Sequence, residues 1–163
     1  MDEGISAAPG LSPGVVRDDE YLLREMFDPE HVKDGEILER AIPVSDLRQS
    51  GFSLHRMAYV SRQFVEDAVR KRLTVPRKTL WHNAGVAVLH SNEIRCKRLD
   101  ADQARAFVII DTATVKNRGH ASLFAAEPDR GPAHARKLRA LLLPLLHRRT
   151  SIKEAYESFA GRP

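Results

Sequence analysis

The apolar residues of this chain come in short runs, and that limits what it can build. The longest, Ala140 to Leu146, is interrupted by Pro144 and falls far short of the roughly 20 residues that span a bilayer. Ala84 to Leu89 and Ala106 to Ile110 have the length of strands, and His120 to Ala126 makes a third after the flexible Asn117-Arg118-Gly119 turn. Between and beyond them the spacing changes to that of helices. Phe64, Val65, Ala68 and Val69 form one stripe over 62–73, with Ser61 as the N-cap. Leu138, Leu141, Leu142 and Leu145 form another, which Pro144 should kink because it has no N–H to donate. Ser151 and Glu154 have the spacing of a capping box ahead of Ile152, Ala155, Tyr156 and Phe159. The expected architecture is α+β: a small mixed or antiparallel sheet packed with helices, and a helical C-terminus.

The front of the chain is less regular. Residues 1–17 mix Gly, Pro, Ser and Ala and are expected to form a disordered, mobile tail, with one α+β domain over 18–163. Tyr21, Leu22, Met26 and Phe27 suit either a helix or a short strand. Asp28-Pro29 reads as an N-cap and first helical position, so a single helical turn is expected there. Asp34-Gly35 is a turn signal, and Pro43 keeps its segment out of a central strand. Residues 51–61 read as extended chain running into a loop. Asp100 and Gln103 have capping-box spacing.

No apolar segment follows the acidic start "MDEGISAAPG", so it does not read as a secretory signal. Cys96 is the only cysteine, which excludes an intramolecular disulfide and a Cys-built zinc site. A cytoplasmic setting without membrane contact is expected. The net charge of +4 conceals a polarity: residues 1–50 hold 5 Lys and Arg against 12 Asp and Glu, and residues 51–163 hold 21 against 10. The two parts thus carry −7 and +11. Such sorting gives a basic face for an anionic partner, or an acidic segment lying over a basic one, or only a solvated surface with clustered charges.

Recognisable catalytic motifs are few. The chain has no phosphate-binding glycine loop, no dinucleotide fingerprint and no nucleophile elbow. Its seven histidines are dispersed without a metal-ligand spacing, so neither a metal nor a cofactor is expected. His55-Arg56 and His120, which follows Arg118-Gly119, stand out because both lie at strand ends. An imidazole pair with adjacent guanidinium groups suits a phosphodiester: the histidines move protons while Arg56 or Arg118 neutralises the oxygens. The plainer expectation is a pair of edge-strand residues facing water. Cys96, among Arg95, Lys97 and Arg98, has no histidine partner implied by the sequence.

Two basic groups suggest a binding surface. Arg70, Lys71, Arg72, Arg77 and Lys78 precede Trp81, a pattern that places phosphates on cations and a base on the indole. Arg130, Arg136, Lys137, Arg139, Arg148 and Arg149 bracket the leucine stripe. The plainer readings are a core Trp81 and a basic helix packed on its neighbours.

The succession Asp34-Gly35, Ser53-Leu54-His55-Arg56 and His120-Ala121 resembles a layout of small uncharacterised bacterial proteins. They carry an early D-G turn, an L-S-x-x-R-like segment and a late H-A-x-apolar motif, matched here over about residues 20–126. The chain departs from it in having Phe-Ser-Leu-His-Arg where Leu-Ser-Val is expected before the charged residue. The resemblance implies a bacterial protein and, by analogy alone, a place in a mobile-element, toxin–antitoxin or defence module. It draws attention to His55, Arg56 and His120 without assigning a reaction. The leading expectation is a non-enzymatic accessory protein that binds nucleic acid through its basic surface, or a protein partner through the leucine-bearing helix in a homo- or hetero-oligomer. The competing expectation is an enzyme acting on a phosphodiester or nucleotide with His55 and His120 as base and acid.

Overall fold

The computed structural model describes residues 3–75, 81, 83–99, 104–127, 130–146 and 149–159. Along the chain come β1 (Tyr21–Asp28), β2 (Val32–Lys33), β3 (Glu36–Ile37), β4 (Phe52–Arg56), α1 (Arg62–Thr74), β5 (Asn83–His90), α2 (Ser91–Arg95), β6 (Phe107–Asp111), β7 (His120–Ala125), α3 (Pro132–Leu142) and α4 (Ile152–Phe159). A five-stranded antiparallel sheet has the order β5-β1-β4-β7-β6, and β2 with β3 forms a separate hairpin. This is an α+β fold.

The segment that suited helix or strand is β1, the second strand of the sheet. Leu22 and Met26 join one apolar cluster while Leu23 and Phe27 join the other, so both faces are buried. A strand buried on both sides loses its period-two signature, which is why its sequence also fits a helix. After it, Asp28-Pro29 begins a turn rather than a turn of α-helix, and His31 N–H donates to Phe27 O at 2.7 Å. Asp34 and Gly35 both have positive φ, 51° and 81°, as a tight hairpin between β2 and β3 requires.

Helices cover the sheet unequally. On one face Leu138 and Leu142 of α3 and Ile94 of α2 pack against Leu22, Phe52, Leu54, Phe107 and Leu123. On the other, Val65 and Val69 of α1 and Ile152 and Ala155 of α4 pack against Leu23, Phe27, Val86 and Val88. That second cluster takes its strand residues from β1 and β5 only, and the strand face over β4 and β7 carries Ser53, His55, His120 and Ser122 instead. The caps expected at Ser61 and at Ser151 with Glu154 are present. Ser61 Oγ accepts from Phe64 N–H at 3.1 Å, while Ser151 Oγ accepts from Glu154 N–H and Glu154 Oε2 from Ser151 N–H, each at 3.1 Å. At Pro144 the α-helix gives way to one 3-10 turn over Leu143–Leu145. Asp100 and Gln103 lie outside the described residues.

Both sheet edges are covered. Val86 and Thr150 exchange backbone hydrogen bonds of 3.0 and 2.9 Å beside β5. Beside β6, Ala7 N–H donates to Asp111 O at 3.1 Å and the Glu3 carboxylate accepts from Ile109 N–H. Residues 3–16, expected as a mobile tail, have no helix or strand, but Glu3 and Ala7 among them satisfy backbone groups of an edge that would otherwise leave them unpaired. Among the described residues no helix is long and apolar enough to cross a membrane.

Candidate functional site

The two histidines singled out in the sequence are cross-strand neighbours. His55 on β4 lies opposite His120 on β7, and Ser53 opposite Ser122. Arg56 N–H donates to Gly119 O at 2.7 Å, which makes Arg56–Gly119 a hydrogen-bonded pair. By the alternation of an antiparallel ladder, His55–His120 is then a non-bonded pair, with Cα atoms about 4.5 Å apart and side chains close together. The expectation of edge-strand residues is therefore corrected, since β4 and β7 are interior strands.

A notch in the sheet opens beside them. The β1–β4 ladder ends after Leu22↔Arg56 and Leu23↔His55, although both strands continue. Arg24 fills the gap: Nη1 donates to Ser53 O at 3.0 Å, Cζ sits 4.1 Å from the Phe52 ring centroid, and Nη2 lies 3.8 Å from Asp46. A cavity of about 170 Å³ results, lined by Arg24, Glu25, Ser53, His55 and His120 from the strands, Ala68 and Arg72 from α1, and Asn117 from the β6–β7 loop. Larger hollows of about 500 and 320 Å³ lie under the β2–β3 hairpin. Neither brings a histidine pair to its wall, so volume is a poorer guide here than chemistry.

Protonation in the notch follows from its partners. Burial pushes the Glu25 carboxyl up, but the His55 hydrogen bond and the charges of Arg72, His55 and Arg24 outweigh it and hold the group below the ordinary range. An ionised Glu25 only accepts, so His55 Nε2 carries the proton it donates to Oε1 at 2.8 Å. His55 Nδ1 lies 2.9 Å from Asn117 Nδ2. On the other side of Glu25, Arg72 Nη1 lies 3.1 Å from Oε2. That contact is a charge pairing without hydrogen-bond alignment, because Oε2 is also a buried acceptor with no donor aimed at it among the described residues.

His120 is arranged differently. Its Nδ1 lies 3.2 Å from Thr112 O and 2.8 Å from Thr112 Oγ1. A carbonyl only accepts, so Nδ1 bears the hydrogen and Nε2 the lone pair. Nε2 makes no hydrogen bond among the described residues. Burial pushes His120 below the ordinary histidine range; the charge of His55 adds to this, against the Thr112 hydrogen bond and Asp111. The ring is therefore neutral near pH 7 and competent as a base. Arg24 contributes a further unmet group: Nε is buried and has no acceptor among the described residues.

Arg56, expected as an anion clamp, faces the opposite side of β4 and is 0% exposed. Nε and Nη2 donate to Glu20 at 2.7 and 2.6 Å, and Nη1 and Nη2 donate to Gly14 O and Val15 O at 2.6 and 3.2 Å. Asp111 Oδ1 lies 3.5 Å from Nη1, and the Tyr59 ring centroid 4.5 Å from Cζ. No donor is left for an incoming anion.

The proposed basic surface is divided in the same way. Glu3 and Asp18 pair with Arg95, Glu3 with Arg105, Glu39 with Arg139, and Asp28 lies 3.5 Å from Arg149. Together with Glu20–Arg56 and Glu25–Arg72, these bonds lay part of the acidic front over the basic remainder. Arg70 pairs with Asp67 and Arg130 with Glu127. Lys71, Arg118, Arg136 and Lys137 are exposed without an ion pair among the described residues. Arg77, Lys78 and Arg148 lie outside those residues. Trp81 stacks on Phe27, centroids 4.2 Å apart at 17°, and its Nε1 donates to Glu30, so the indole is packing material rather than an open platform for a base.

Sequence reasoning missed Arg24, Glu25, Ser53, Thr112 and Asn117 as parts of the site. Only the first two left a signal: a charged pair in the middle of the apolar run "YLLREMF" must find partners once that run is buried. No group of three or more His, Cys, Asp or Glu side chains among the described residues is placed to hold a metal ion. Comparison with known protein families, with curated proteins and with solved structures finds no match.

Proposed function

We propose that the protein acts on a phosphate ester, a nucleotide or a nucleic-acid phosphodiester, in the notch between β1, β4 and β7. His120 is the general base, Arg24 and Arg72 receive the phosphoryl oxygens, and Glu25 and Asn117 hold His55 beside them. The observation that carries this reading is the pairing of His55 with His120 across the β4–β7 ladder, in one cavity with two guanidinium groups. Arg24 Nε supports it independently, because a buried donor without an acceptor is costly unless something else supplies one.

Size limits what enters. At roughly 30 Å³ per water molecule, the cavity has room for a phosphoryl group and little more. The remainder of a nucleotide lies outside, near the exposed Lys71 of α1 and the exposed Lys116 and Arg118 that flank Asn117. These cations steer an anionic substrate toward the notch, an effect that weakens as salt is raised. Reduced to that role, the basic surface expected from the sequence serves the site. The setting proposed is the bacterial cytoplasm.

The test is turnover of bis-(p-nitrophenyl) phosphate, p-nitrophenyl phosphate and a short RNA by the wild type and by His120→Ala. One of these substrates should be consumed by the wild type, and His120→Ala should lose the activity with its melting temperature kept. Binding of RNA in a gel shift at low salt, with no turnover of any of the three, would overturn the enzymatic reading in favour of an accessory binding protein.

A further inference from the structure

We infer that Ser53 is the nucleophile of this site, and that the phosphoryl group passes through a covalent ester on its Oγ. The inference rests on the reading above, that the notch takes a phosphate ester with His120 as base. Ser53 lies two residues before His55 on the same face of β4, is exposed, and lines the same cavity. Its hydroxyl makes no hydrogen bond among the described residues. The serine opposite it does: Ser122 Oγ is 2.9 Å from Thr112 Oγ1, in a buried chain that ends on His120 Nδ1.

Register brings the free hydroxyl to the free nitrogen. Ser53 pairs with Ser122 and His55 with His120, so Ser53 and His120 are diagonal neighbours on one face. Such positions are about 7–8 Å apart, within reach of a side chain as long as imidazole. The Ser53 backbone is pinned as well, because its carbonyl accepts from Arg24 Nη1 at 3.0 Å. Arg24 and Ser53 line the same cavity. A nucleophile held in place by its strand has an entropic advantage over a water that must be captured and oriented.

The chemistry balances without a further reagent. His120 Nε2 takes the proton from Ser53 Oγ as the Oγ–P bond forms, the P–O bond on the far side breaks, and the leaving alkoxide takes a proton from solvent. His120 then gives its proton to solvent. A water next loses a proton to Nε2, its oxygen bonds phosphorus, the P–Oγ bond breaks, and Oγ recovers a proton from His120.

The test uses an alkyl fluorophosphonate on the whole chain, where Ser53 Oγ bonds phosphorus, the P–F bond breaks and fluoride leaves. Mass spectrometry should find one adduct, on the peptide that carries Ser53. Labelling should be absent in Ser53→Ala and slowed about 100-fold in His120→Ala, the scale of a lost general base. Ser53→Ala should melt with the wild type, because the removed hydroxyl is exposed. Binding of inorganic phosphate, read from the histidine ring signals, separates the possible failures. Phosphate bound in the notch, with no label or a label on another residue, overturns the covalent step and leaves the phosphate site standing. Turnover by Ser53→Ala within about threefold of the wild type overturns it too, by making water the nucleophile. No label and no phosphate binding removes both this inference and the reading beneath it.

Discussion

Arg56 and His55 are consecutive residues of one strand, and they illustrate two opposite uses of buried charge. Arg56 is closed: every guanidinium nitrogen has a partner, supplied by Glu20, Asp111 and the carbonyls of Gly14 and Val15. The cluster joins β4, β6 and the N-terminal segment, and its work is structural. On the other face, the groups around His55 are left incomplete: Glu25 Oε2 and Asn117 Oδ1 are buried without a donor among the described residues, and Arg24 Nε, in the gap beside them, has no acceptor there. Burial with full satisfaction stabilises a fold, whereas burial with unmet valences prepares a place for something else.

The sharpest way to break the contrast is Arg56→Met. Removing one partner leaves Glu20 and Asp111 buried without their counter-charge, at a cost of about 3–5 kcal/mol. For a chain of this size each kcal/mol lowers the melting temperature by roughly 2–4 °C, so a fall on the order of 10 °C is expected by circular dichroism. A melt unchanged from the wild type would deny the closed cluster its role. On the open face, His120→Ala should lower turnover of a phosphodiester by about 100- to 1,000-fold. The same variant should cost about 1 kcal/mol in urea, the scale of the lost Thr112 hydrogen bond, far less than Arg56→Met. Equal damage to activity and stability would return His120 to a structural part.

His55→Ala lies between the two, because it takes from Glu25 its nearest donor. A loss of about 1–3 kcal/mol, the cost of an unmet buried acceptor, should appear as a lower urea midpoint. Acid should act on the notch, and on His31 beside Phe27, through groups whose pKa is depressed. Burial pushes His31 and His120 below the ordinary value of 6.5, so between the folded and unfolded values the unfolded chain binds more protons. Stability therefore rises with pH across that window, is fully present above 6.5 and is lost as the pH falls through the folded values. Glu25, depressed below 4.5, adds a second loss at more acid pH. Urea midpoints between pH 7 and 4 check the sign, which a flat or rising midpoint on acidification would reverse. The smallest effect is expected at Ser61→Ala, which removes the cap of the helix that presents Arg72. It should cost about 1 kcal/mol by thermal melt and leave turnover almost unaltered.

How far the sequence could be read follows from which interactions are local. The Ser61 and Ser151 caps, the Asp34-Gly35 turn and the strand that carries His55 are short-range features, and they stand where their residues place them, whereas the cap read at Asp28-Pro29 opens a turn instead. The strand β1 was ambiguous because burial on both faces removes the alternation that marks a strand. The site is non-local throughout: Glu25 reaches His55 across 30 positions, and Asn117 reaches it across 62. No spacing rule connects residues so far apart. The charge sorting was legible, but not its use, since whether acids cover bases depends on packing that only the folded chain fixes.

The central claim is that the notch at His55 and His120 receives a phosphate anion. It is tested most directly by following the histidine ring nitrogens by NMR at pH 7 while inorganic phosphate is added. The account predicts a saturable shift of the His120 Nε2 signal together with the His55 ring, lost in Arg24→Met. Ring signals that stay still to saturating phosphate, or that move equally in Arg24→Met, would contradict it.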